Sequence, residues 1–164
     1  MKFGDATMGQ TEAVINRMGG FQNWLRFAGG QGKIVFETIL SFLRTVRIAG
    51  QPAVTTSKEY FEEAGVKWTG SNFESQFYDL EVPASKETEL SIKKLEQDSI
   101  DRPILAELGD KAETSVSQFR AFLAANRESN EWFIFYLKGK DGNLRAVNAS
   151  WSSAGRGWSV GARS

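Results

Sequence analysis

Residues 132–163, WFIFYLKGKDGNLRAVNASWSSAGRGWSVGAR, decide the fold class. WFIFYLK at 132–138 is a strand-length apolar run, and Asp141-Gly142 after it tolerates the positive φ that a tight hairpin turn demands. LRAVNASWS at 144–152 returns, SAGRG reverses the chain again, and WSVGAR at 158–163 leaves in a third pass. These spacings predict a three-stranded antiparallel meander. Its first strand is apolar on both faces, with Phe133, Phe135 and Leu137 opposed to Trp132, Ile134 and Tyr136. That pattern predicts a central strand buried on two sides. The other two strands carry Ser and Gly and alternate more loosely, so they are expected at an edge or half exposed.

Working upstream, KAETSVSQFRAFLAANR at 111–127 is the clearest helix, with Val116, Phe119, Phe122 and Leu123 as its buried stripe. Asp101 or Ser99 caps a preceding helix that holds Pro103 in its first turn, where the missing amide costs little, and ends at Gly109. KETELSIKKLEQ at 86–97 reads as a strand. YDLEV at 78–82 and VKW at 66–68 read as short strands around a helix, SNFESQF at 71–77. Ser57 caps a further helix, KEYFEEAG, closed by Gly65. AGQPAVTTS at 49–57 is a linker broken by Pro52.

The first fifty residues read as helical. Asp5 or Thr7 caps a segment with Met8, Val14, Ile15 and Met18 at helical spacing, ended by Gly19-Gly20. A second short helix carries Phe21, Trp24, Leu25 and Ala28. Residues 33–43 read as a third helix, and TVRI at 45–48 as a short strand. The expected organisation is a helical segment over 1–50 and an α+β domain over 51–164.

The pieces IDRPILAELGDKAETSVSQFRAFL and WFIFYLKGKDGNLRAVNASW resemble a loose group of uncharacterised bacterial proteins, as does MGQTEAVINRMGG near the start. In that group a short helical pair precedes an aromatic meander with an Asp-Gly turn. The resemblance implies an α+β fold and a bacterial origin, and it carries no activity, cofactor or site residue with it.

Composition narrows the chemistry further. The 164 residues include no His and no Cys, which excludes triads and dyads built on imidazole or thiol and zinc sites of the usual Cys/His type. Twenty basic and twenty acidic side chains leave no net charge. They are unevenly spread: residues 1–50 carry +3, residues 51–110 carry −7, and residues 111–164 carry +4. The carboxylates Glu62, Glu63, Glu74, Asp79, Glu81, Glu87 and Glu89 lack the spacing of a metal-dependent nuclease and read as a solvated surface. Ser85-Lys86, and Ser91 near Lys93, offer no Ser–Lys dyad, because adjacent strand residues face opposite ways. GGQGK at 29–33 is shorter than a phosphate-binding loop and reads as a helix stop. No catalytic residue, metal site or cofactor is therefore expected.

The expected function is a noncatalytic binding or assembly module, with a protein partner or self-association ahead of nucleic acid. The candidate contact residues are Trp151, Arg156, Trp158 and Arg163, which combine aromatic faces with guanidinium groups. Two roles compete for them. Exposed, they stack bases or anchor a protein partner; paired across the SAGRG turn, Trp151 and Trp158 simply cover the core. The N-terminus lacks the apolar stretch of an export signal, and no window is apolar enough to span a bilayer, so the expectation is a cytoplasmic protein without membrane contact.

Overall fold

The ribbon and sheet that organise the molecule lie in residues 38–163. The computed structural model describes these residues together with isolated positions at 15, 16, 20, 22, 24, 25 and 29. The chain divides into two units, Met1–Thr38 and Ile39–Ser164. In the first, Ile15, Asn16, Gln22, Trp24 and Leu25 are helical, and Gly20 takes a φ of 101°. The remaining residues of the expected N-terminal helices lie outside the described residues.

The second unit begins with β1 (Leu40–Ile48), where a helix to Leu43 was expected. A β-bulge explains the difference. Phe42 opposes Lys93 and Arg44 opposes Ile92, so Leu43 is an extra residue that interrupts the two-residue alternation. β1 lies in the second compact unit, which starts at Ile39.

The strand β1 pairs antiparallel with β5 (Thr88–Leu95). Beyond Ile48 the same register continues through an isolated bridge, Gln51 to Ser85, into β2 (Val54–Thr55) and β4 (Glu81–Val82). The three ladders thus form one long two-stranded ribbon, broken where Pro52 and Pro83 cannot donate. Gly50 is required by close approach, since a Cβ there would lie 2.8 Å from the Ser85 carbonyl oxygen.

At the ribbon's end the chain inserts α1 (Lys58–Glu62), β3 (Val66–Thr69) and α2 (Ser71–Phe77). Ser57 caps α1 by accepting from the Tyr60 amide. Thr56, fully buried, donates to the Phe77 carbonyl at 2.6 Å and accepts from the Leu80 amide at 3.0 Å, which fastens the insert to the ribbon.

The C-terminal half holds α3 (Asp101–Leu108), a 3-10 turn over Gly109–Lys111, and α4 (Val116–Ala125), then β6 (Trp132–Lys138), β7 (Leu144–Ser152) and β8 (Gly157–Ala162). A capping box between Ser115 and Gln118 starts α4. Its stripe of Val116, Phe119, Phe122 and Leu123 is buried as the spacing predicts. The strands β6, β7 and β8 are successive antiparallel neighbours, and β3 adds to β8 in parallel, giving the order β3-β8-β7-β6.

That order reverses the expected roles of the strands. The apolar strand β6 is an edge, and the Ser/Gly-bearing β7 and β8 are central. Burial of β6 on two sides comes from different layers. Phe133, Phe135 and Leu137 join the main core with α4, Phe61, Phe73, Phe77 and Trp158. Tyr136 and Ile134 on the reverse face pack with Leu40, Ile104 and Ala146 in a second, smaller core. The class is α+β, with antiparallel pairing dominant and one parallel contact.

Candidate binding surfaces

The four residues singled out from the C-terminal hairpin do not form one surface. Trp151 and Trp158 oppose each other directly across β7 and β8, with ring centroids 5.5 Å apart at 82°. Trp158 is wholly buried, and its Nε1–H donates to the Leu123 carbonyl at 2.9 Å. It is a core residue that cannot offer a face to a ligand, so its candidacy as a contact residue is corrected. The core-covering pair is the arrangement found. Arg156 sits exposed in the turn with a φ of 47°. Arg163 lies seven positions on, roughly 20 Å along an extended chain, and its Nη1 is 3.4 Å from an Asp101 carboxylate oxygen.

Asp101 also accepts from the Tyr136 hydroxyl at 3.0 Å. Burial, reinforced by that carboxylate, holds the Tyr136 proton far above the usual phenol range. The first turn of α3 thereby closes one end of the sheet's reverse face.

Among the described residues the rest of that face is open, and the strand registers define it. Trp132 opposes Ser150, Ser150 opposes Ser159, and Ser159 opposes Trp68, so these four residues form one row across all four strands. The adjoining row is Ile134, Asn148 and Gly161, with Gly70 beside Gly161. A bulge in β3 contributes a further side chain. Val66 opposes Trp158 while Trp68 opposes Ser159, leaving Lys67 as the extra residue. The Lys67 stem crosses Gly157, where a Cβ would lie 2.1 Å from its Cγ. Lys67 and Trp68 therefore both belong to the open face, while Val66 enters the core.

Trp68 and Trp132, at the two sheet edges, are 59% and 55% exposed. Between them the floor is small and polar: Ser150, Ser159, Asn148 and Gly161, all half-buried. The side chains of Asn148, Ser150 and Ser159 have no hydrogen-bond partner among the described residues, and Lys67 has no ion pair there. The sequence reading missed Trp68 and Trp132. A signal was present, because Asn148, Ser150 and Ser152 alternate with Val147, Ala149 and Trp151 at a strict period of two.

A second feature lies along the β6 edge. A cleft of about 840 Å³ runs between β5 and β6, lined by Leu90, Ile92, Leu95, Trp132, Ile134 and Tyr136 with the loop through Thr114. Among the described residues neither strand is paired on its cleft side along most of its length. The Tyr136 carbonyl points into the cleft and accepts from the Thr114 amide at 2.9 Å. By the two-residue alternation of an antiparallel ladder, the backbone groups of Trp132 and Ile134 point the same way. They form the open stretch of the edge. Arg44 bridges the ribbon to the approach of β6 through a two-pronged contact with Glu131, one prong at 3.0 Å. That hydrogen bonding holds the Glu131 carboxyl below its ordinary range.

Four of the seven acidic residues singled out in the middle segment are engaged one by one. Glu63 meets Arg120 at 2.8 Å, Glu87 meets Arg47 at 2.8 Å, Glu62 meets Lys58 at 3.6 Å, and Glu74 accepts from Thr69 at 2.6 Å. Among the described residues no group of three or more Asp and Glu side chains is placed to hold a metal ion. Ser85 Oγ accepts from the Gln51 amide as part of the ribbon. No described helix is long and apolar enough to cross a membrane.

No family model matches the chain, and neither does any curated protein or any solved structure.

Proposed function

We propose that this chain is a noncatalytic binding module whose protein partner supplies an extended segment to the β6 edge. The observation that carries this reading is the shared cleft. Two strands with unsatisfied edges, β5 and β6, line the same space, so one inserted strand would find backbone partners on either side. Apolar side chains at Leu90, Ile92, Ile134 and Trp132 supply pockets for alternate residues of that segment. Exposed strand edges are otherwise hazards that proteins cover, twist away or protect with charge. The alternative, nucleic acid held by the C-terminal hairpin, is weakened because Trp158 has no face to stack upon.

Selection from a random peptide library, followed by amide hydrogen exchange of the complex, tests this. The amides of Trp132 and Ile134 should exchange fast in the free protein and become protected by a selected peptide. Ile134→Pro should abolish binding at some cost to the small core, while the β6–β7 ladder stays paired, because that amide is not part of it. Peptides that bind without protecting these two amides, or a library that yields none, would contradict the proposal. Protection that rises with protein concentration alone would assign the edge to a second copy of the chain.

A further inference from the structure

The open face of the four-stranded sheet has a composition that the peptide cleft does not explain. Its two ends are exposed indoles, Trp68 on β3 and Trp132 on β6. They stand three strand spacings apart, roughly 14 Å. The floor between them carries Ser150, Ser159 and Asn148, whose hydroxyl and amide groups are free for a ligand. Gly161 keeps the floor low: a Cβ there would meet the Asn148 Oδ1 at 3.0 Å. Gly70 does the same beside Trp68, whose ring edge lies 3.5 Å from the position of an added Cβ.

From this arrangement we infer that the open face binds a short neutral oligosaccharide, laid across the strands from Trp68 to Trp132. Three properties select that chemistry. A pyranose presents an apolar, weakly positive C–H face, which an exposed indole receives on its electron-rich ring. Its hydroxyls need both donors and acceptors in one plane, and Ser hydroxyls and an Asn amide supply both. The rows themselves carry no charged side chain, which matches an uncharged ligand.

The competing occupants fit less well. Single-stranded nucleic acid would also stack on tryptophan, but it needs cations tracking its phosphates. Lys67 borders the floor at one end and Arg163, paired with Asp101, at the other, so the two cations form no track between them, and the whole chain has no net charge. A protein partner would favour aromatic anchors clustered at the centre of an apolar patch. Here the two indoles are at opposite margins with polar groups between them.

Trp132 borders both this face and the β5–β6 cleft, so Trp68 and Ser159 are the residues that separate the two sites. The test is a titration of the intact chain with chitotetraose, cellotetraose, xylotetraose and maltotetraose, read by the five indole N–H signals. The indole signals of Trp68 and Trp132 should move with at least one sugar, and that of Trp158 should stay. Trp68→Ala should weaken this binding about tenfold or more, whereas Trp68→Phe should retain part of it. Leu90→Ala, on the β5 wall of the cleft and outside the four-stranded sheet, should leave Trp68's response in place. Failure of all four sugars to move Trp68, or movement by an oligothymidylate alone, overturns the inference. The peptide reading of the cleft survives either result.

Discussion

The two faces of one sheet differ more than any two separate elements of this molecule. On the covered face Phe133, Phe135, Val147, Ala149, Trp158 and Val160 meet α4 and the α1–α2 insert and are almost wholly buried. On the reverse face the same three strands present Trp132, Ile134, Asn148, Ser150, Ser159 and Gly161, and only the end near Tyr136 is closed, by α3. Neighbouring residues thus do opposite work. Trp158 is fully enclosed, whereas Ser159 beside it faces outward, and the bulge in β3 sends Val66 inward and Lys67 and Trp68 outward. The pleat, rather than residue type alone, decides which aromatic stabilises and which is free to bind.

The largest expected effect is on the covered face. Trp158→Ala removes a fully buried ring and orphans the Leu123 carbonyl, which should cost about 3–5 kcal/mol of unfolding free energy in a denaturant titration. A cost comparable to that of truncating an exposed residue would place Trp158 outside the core and break the contrast.

Next comes the joint between the faces. Gly157→Ala would place a methyl group 2.1 Å from Lys67 Cγ and 2.9 Å from the Gly65 carbonyl oxygen. Lys67 can swing aside, but Gly65 O also accepts from the Trp158 amide at 2.8 Å and is fixed. A loss of about 1–3 kcal/mol is expected. Restoring space by pairing it with Lys67→Gly should recover only part of that loss, because the backbone clash persists.

The smallest effect concerns the tie between ribbon and sheet. Because Arg44 lowers the Glu131 pKa, the folded state favours the carboxylate. The stabilisation is therefore complete above the ordinary value of 4.5 and disappears as pH falls through the lower folded value. Both side chains are more than a third exposed, so the contribution is a screened one of about 1 kcal/mol or less. Thermal unfolding from pH 6 down to pH 3 should show a slightly smaller decline in Glu131→Gln than in the parent chain.

Much of the local structure was legible in the sequence because its causes are local. Ser57 and the α4 stripe follow from capping and helical spacing. Gly142, at a φ of 77°, fills the turn that Asp141-Gly142 announced. What could not be read was long-range. The pairing of β3 with β8 joins residues about ninety positions apart through only four positions of β3, and no local pattern marks it. The bulge at Leu43 disguised half of β1 as helix. Double-sided apolarity placed β6 at the centre of its sheet, when it is an edge strand covered by helix on one side and by Leu40 and α3 on the other. The proposed contact residues shifted for the same reason. Two tryptophans close in sequence drew attention to the hairpin, yet their pairing buries one of them, and the exposed pair comes from strands at opposite edges.

Hydrogen exchange at the indole nitrogens, followed by NMR, tests the central claim that this sheet has one sealed face and one open face. Trp158 Nε1–H, bound to the Leu123 carbonyl within the core, should persist through global stability, while Trp68 and Trp132 should exchange within the dead time of the experiment. An indole of Trp158 that exchanged as fast as that of Trp68 would contradict the account.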